Sequence, residues 1–200
     1  MIPINTLLEA YRIGFFPMAG GGRLGWYSPE DRGVIPLDDF HIPRRLSREL
    51  RRGRFQTTTD RDFRRVIVTC ASRVDDAGNW IDDEIVESYC ALHEAGFAHS
   101  VEVWQEETLV GGLYGVSLRA AFFGESMFHT TTSASKVALC ALVTRLKERG
   151  YRLLDLQWLT AYLSQFGAVE VSRREYLLRL ASAMEIECVF GDAGESSTIS

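Results

Sequence analysis

The segment Leu153-Leu154-Asp155-Leu156-Gln157-Trp158 has the apolar character of a buried β-strand, yet it carries an acid and an amide. Side chains alternate across a strand, so Asp155 and Gln157 are expected on the same side, roughly 7 Å apart along it. Burying such groups is costly unless hydrogen bonds or chemistry recover the loss. Upstream, Phe122-Phe123-Gly124-Glu125-Ser126-Met127-Phe128 sets one carboxylate inside an aromatic run. Two apolar strands, each interrupted by polar groups, point to a site.

The rest of the pattern supplies a frame for that strand. Leu7, Leu8 and Tyr11 recur at helical spacing before Gly14, and Pro43 suits the first turn of a helix through Leu50. Val34-Ile35-Pro36-Leu37 is a short extended run, and Asp60 to Cys70 reads as a helix. From Trp80 onward a helix capped by Asp82 or Asp83 runs to Gly96. Strands over 100–105 and 108–116, joined by a Glu106-Glu107 turn, lead into a third over 120–127. A helix over 133–149 buries Leu139, Leu142, Val143 and Leu146 on one face. After the Asp155 strand come a short helix at 159–166 and a strand at 168–171. Ser172-Arg173-Arg174-Glu175 is a capping box for a further helix, and 186–190 reads as a last strand. This order predicts an α+β fold, a mixed sheet flanked by helices. Residues 1–35 are expected to form a reduced N-terminal segment, 36–190 the main domain with the suspected site, and 191–200 a polar tail expected to be disordered.

Composition bounds the function. No apolar run approaches the ~20 residues that span a bilayer, and the N-terminus lacks the pattern of a signal peptide. A cytoplasmic protein is expected. Cys70, Cys90, Cys140 and Cys188 form no metal or redox motif, and the four histidines are scattered, so reduced structural thiols and no metal are expected. The net charge of -5 opposes bulk attraction to nucleic acid. Its distribution does not. Arg44, Arg45, Arg48, Arg51, Arg52, Arg54, Arg61, Arg64 and Arg65 crowd one stretch. They make either a solvated helix face or, by their density, a phosphate-binding patch.

A set of motifs in order resembles the leucyl/phenylalanyl-tRNA–protein transferase family. They are Ala10-Tyr11-Arg12-Ile13-Gly14-Phe15-Phe16-Pro17, Trp26-Tyr27-Ser28-Pro29, Trp80-Ile81 and His99-Ser100-Val101-Glu102. More specific are Gly111-Gly112-Leu113-Tyr114-Gly115-Val116, Gly124-Glu125-Ser126-Met127-Phe128, Ala134-Ser135-Lys136 and Asp155-x-Gln157. The resemblance covers Leu7 to about Leu180 and implies a GNAT-like catalytic sheet. It implies transfer of Leu or Phe, with Met a further candidate, from aminoacyl-tRNA to proteins beginning with Arg or Lys, which marks them for N-end rule degradation. The chain departs from the family in three places. The usual amino-terminal extension is expected to be missing, Met18 stands for a tryptophan, and Tyr162 stands for a histidine.

Aminolysis of an ester runs downhill and requires no ATP, metal or other cofactor. An α-amino group of pKa near 7.7–8.0 keeps a neutral fraction at pH 7, so placement and charge stabilisation matter more than a strong base. By the resemblance, Asp155 orients the Gln157 amide, whose oxygen accepts from the attacking amine. Glu125 hydrogen-bonds the aminoacyl-adenosine, while Trp80 and Met18 cover the terminal adenine. Leu113, Phe122, Met127, Leu142 and Leu154 line the amino-acid pocket, and the arginine patch meets tRNA phosphates. Two other readings stand beside this one. One is a GNAT-type acetyl-CoA N-acyltransferase, although 129–134 lacks the usual glycine-rich phosphate turn. The other is a noncatalytic tRNA-binding module.

Overall fold

The computed structural model describes residues 1–20, 23–73 and 80–191. Helix α1 (Ile4–Arg12) precedes a hairpin of β1 (Phe16–Gly20) and β2 (Arg23–Tyr27), then strand β3 (Asp31–Ile35). Helix α2 (Arg44–Arg51), strand β4 (Gln56–Thr59), helix α3 (Phe63–Ala71) and helix α4 (Asp83–Glu94) follow. Strands β5 (Ala98–Gln105), β6 (Thr108–Leu118) and β7 (Ala121–His129) lead through α5 (Ala134–Glu148) to β8 (Leu153–Gln157). The chain continues with α6 (Ala161–Ser164), β9 (Val169–Ser172) and α7 (Arg173–Met184). Asp82, Asp62 and Ser172 each cap a helix through their side chains.

Apart from the β1–β2 hairpin, the strands form one seven-stranded sheet in the order β4-β5-β6-β7-β8-β3-β9. Every neighbouring pair is antiparallel except β7 and β8, which α5 joins as a crossover. The expected mixed α+β layer is therefore present. Each face of the sheet covers its own core. Leu7, Tyr11, Ile67, Tyr89 and Tyr176, from α1, α3, α4 and α7, pack on one side. Leu46, Leu139, Leu142, Leu146 and Leu163, from α2, α5 and α6, pack on the other. Leu153 and Leu154 divide between these cores, as period-two alternation requires.

The structure departs from the sequence expectation in several places. The chain on either side of residues 21–22 forms two paired strands, and β4 forms although its residues carry no apolar alternation. Residues 186–190 are irregular rather than a last strand. The Phe190 carbonyl accepts from Arg145 Nε at 2.7 Å instead of joining a ladder, and its ring stacks on Phe122 and His99. Strand β3, counted by sequence with the N-terminal segment, lies inside the large sheet between β8 and β9. The expected tail falls, beyond Gly191, outside the described residues. Among the described residues, no helix is long and apolar enough to cross a membrane.

Candidate active site at the opening between two parallel strands

Strands β7 and β8 pair over only three positions, Ala121↔Leu153, Phe122↔Leu154 and Phe123↔Asp155. Both then leave the ladder. On β7 the register slips between Tyr114↔Ser126 and Gly115↔Gly124, so Glu125 is the extra residue of a bulge. On β8 Leu156 is passed over between Val34↔Asp155 and Gly33↔Gln157, and Gln157 takes a left-handed φ of 66°. Gly33 permits this turn. A Cβ there would lie 2.7 Å from the Trp158 carbonyl carbon and the Leu159 nitrogen. The strict alternation expected of Asp155 and Gln157 is thus broken by the kink between them.

The divergence opens a cavity of about 500 Å³, with Gly124, Glu125, Ser126 and Met127 on one side and Leu154 and Leu156 on the other. Leu113, Leu139, Leu142 and Leu163 make it apolar. Leu113, Met127, Leu142 and Leu154, from β6, β7, α5 and β8, meet in this one lining. Phe122 is not among the lining residues: it is fully buried, stacked on Phe190. Trp80 and Met18 do not line the cavity either. They are half-buried on the first core, on segments joined where the N–H of Ala19, next to Met18, donates to the Trp80 carbonyl at 3.2 Å.

Asp155 is fully buried, and its four acceptor positions are occupied. Arg32 donates Nε to Oδ1 at 2.8 Å and Nη2 to Oδ2 at 2.6 Å. The Tyr176 hydroxyl donates to Oδ2 at 2.8 Å, and the Gln157 backbone N–H to Oδ1 at 2.8 Å. Arg32 is itself buried, donates to the Gly14 carbonyl at 3.1 Å, and lies over the Phe16 and Tyr176 rings. Asp155 therefore holds the backbone of Gln157, not its side-chain amide, and has no position left for a substrate amine. Arg32 and Tyr176 escaped the sequence reading. Burial of a lone arginine beside a glycine has no period to betray it.

Glu125 is buried and accepts from the Tyr11 hydroxyl at 2.7 Å and from Tyr89 at 3.3 Å, the two phenols being hydrogen-bonded to each other. Burial pushes its pKa up to about 7, opposed by the hydrogen bonds from Tyr11 and Tyr89 and by the nearby Gln157 amide, and aided by the Asp155 charge. Among the described residues two buried side-chain atoms complete no hydrogen bond of normal geometry, Gln157 Nε2 and the Tyr114 hydroxyl. Gln157 Nε2 lies near enough to Glu125 to lower its pKa, while the Tyr114 phenol lies in the field of the same carboxyl. Buried donors left without a partner are rare and invite a ligand.

The nine arginines divide. Arg44, Arg45, Arg48 and Arg51 are on α2, and Arg52 and Arg54, just behind it, both pair with Glu49 of the same helix. Arg61 and Arg65 face the Trp104 ring, and Arg64 pairs with Glu87 of α4 at 2.5 Å. The cysteines are free thiols; burial raises Cys70 to about 12 and Cys140 to about 11.

The family model described as leucyl/phenylalanyl-tRNA protein transferase matches residues 34–181, and that family's N-terminal domain matches residues 2–30. A leucyl/phenylalanyl-tRNA–protein transferase of Ruegeria pomeroyi is 49% identical over 199 residues, spanning 98% of this chain and 93% of that protein. One from Paramagnetospirillum magneticum is 51% identical over 184 residues, 90% of this chain and 88% of its own length. Among solved structures, L-PGS from Bacillus licheniformis aligns with a TM-score of 0.49 and 11% identity, over 90% of this chain and 70% of that one, a likeness too slight to reason from. The class is that of the acyltransferases. Within it, the chain belongs to the leucyl/phenylalanyl-tRNA–protein transferase family.

Proposed function

We propose that the chain transfers Leu or Phe, with Met as a further donor, from aminoacyl-tRNA to the α-amino group of proteins that begin with Arg or Lys. That step marks the acceptor for N-end rule degradation in the cytoplasm. The observation that carries the reading is the apolar cavity at the β7–β8 opening with Glu125 at its edge. It suits an aminoacyl side chain whose ester lies beside polar groups. The opening between two parallel strands also supports the finer, GNAT-like description of the sheet.

In this reading the Leu or Phe side chain enters the cavity, and the attacking amine meets the ester carbonyl near Gln157. The Gln157 oxygen accepts from the amine, and its nitrogen is available to an oxygen of the substrate. Glu125 accepts from the ribose or the amine. The ester C–O bond breaks as the C–N bond forms, the proton lost by the amine ends on the departing 3′-oxygen of the tRNA, and placement does most of the work. Asp155 is a positioning residue that fixes Gln157 through its backbone. Trp80 and Met18 cover the adenine, and α2 presents arginines to tRNA phosphates. No cofactor enters the step, since the ester itself is the activated donor.

Incubation with radiolabelled Phe-tRNA and a protein beginning with Arg tests the proposal. Labelled acceptor is the expected product. Absence of transfer, with protection by acetyl-CoA or bare RNA binding in its place, would favour one of the two other readings.

A further inference from the structure

A second cavity, of about 350 Å³, adjoins the first; it is lined by Pro43, Arg45, Leu46, Lys136 and Gln165 among others. The two share three residues, His129, Ser135 and Tyr162. These three form a hydrogen-bonded wall. Tyr162 Oη lies 3.0 Å from Ser135 Oγ, which lies 3.3 Å from His129 Nδ1. The Tyr162 ring is clamped: Phe166 packs against it at 5.9 Å, and Lys136 Nζ sits 5.4 Å from its centroid while donating to Gln165 Oε1 at 3.1 Å. Beneath it, Thr160 caps the short α6 that carries Tyr162. Because the wall's polar atoms satisfy one another, an apolar side chain can abut it without stranding a donor.

We propose that Tyr162 is a specificity-determining residue, the end wall that sets the length of aminoacyl side chain the enzyme accepts. The proposal rests on the transferase reading above and deepens it. Beyond this wall the second cavity continues the space between Pro43 and Leu46 on one side and Lys136 and Gln165 on the other, so the ring is what ends the first cavity. The ring, not its hydroxyl, is the obstruction. Removing it joins the two cavities, whereas removing only the oxygen leaves them apart.

The test compares kcat/KM for transfer of Leu, Phe and Trp from tRNAs carrying each, to one acceptor beginning with Arg. Tyr162→Ala should raise the Trp-to-Leu ratio at least about tenfold, within the range a pocket change can deliver. Tyr162→Phe should leave that ratio within about threefold, because the wall remains. Binding of the 3′-amide analogues of leucyl- and tryptophanyl-adenosine, measured calorimetrically, should shift in parallel. Tyr162→Leu serves the same purpose if the alanine variant does not fold. Unchanged ratios in a folded variant, or an equal shift in Tyr162→Phe, would overturn the wall while leaving the transferase reading intact. A wild-type chain that neither transfers nor binds the analogues would overturn both.

Discussion

Asp155 shows how a polar residue in an apolar strand can be expensive and still persist. Its charge is matched by Arg32 with two hydrogen bonds, and Tyr176 and the Gln157 N–H take the remaining lone pairs. Breaking such a buried pair from one side leaves a naked charge, a loss of about 3–5 kcal/mol. Arg32→Ala is therefore expected to lower the unfolding free energy measured by urea titration by about that amount. Asp155→Asn should lose transfer together with stability rather than transfer alone. Undiminished stability in either variant would return Asp155 to a directly catalytic role. Glu125 is governed by a different balance. Its folded pKa of about 7 exceeds the ordinary 4.5, so the folded state holds a proton that the unfolded chain releases. The resulting stability is fully present below pH 4.5 and is lost as pH rises through 7. Glu125→Gln should flatten the stability curve across that window. Tyr11→Phe removes a bond that lowers the Glu125 pKa, so the corresponding limb of the kcat/KM–pH profile should move upward. A limb that stays in place would detach Tyr11 from the titration.

Helix α2 is the element on which tRNA binding is staked. Arg52 and Arg54 are already tied to Glu49, which leaves Arg44, Arg48 and Arg51 as the better probes. Their joint replacement by Ala should weaken tRNA binding and make its salt dependence shallower, by about one unit of slope for each phosphate no longer neutralised. A slope that does not change would return α2 to a solvated face. Most helices were legible because their evidence is local: periodic leucines on α5, the Asp82 cap of α4 and the Ser172 cap of α7. Strands β1, β2 and β4 were not, since their ladders rest on partners distant in sequence or on glycines and threonines without an apolar period. Residues 186–190 erred in the opposite direction. Their β-propensity was real, but the Arg145 side chain captured the Phe190 carbonyl.

Four distant pieces of chain meet at one ion pair: Gly14 after α1, Arg32 on β3, Asp155 on β8 and Tyr176 on α7. Residues 1–35 should accordingly unfold with the rest. Tryptophan fluorescence and far-UV circular dichroism are expected to report one coincident thermal transition, whereas two separated midpoints would mean that the first segment folds apart. Its amino-acid sequence alone determined the layered α+β class, the family resemblance and the polar pairs Asp155, Gln157 and Glu125, because hydrophobic period, caps and motif order are properties of neighbours along the chain. Only the tertiary structure decided what those polar groups do. Whether Asp155 faces a substrate or an arginine depends on a strand more than a hundred residues away. The bulge at Glu125 and the left-handed turn at Gln157 then open the sheet for reasons of register. The Tyr162 wall was equally hidden, since His129, Ser135 and Tyr162 become a single surface only when β7, α5 and α6 pack together.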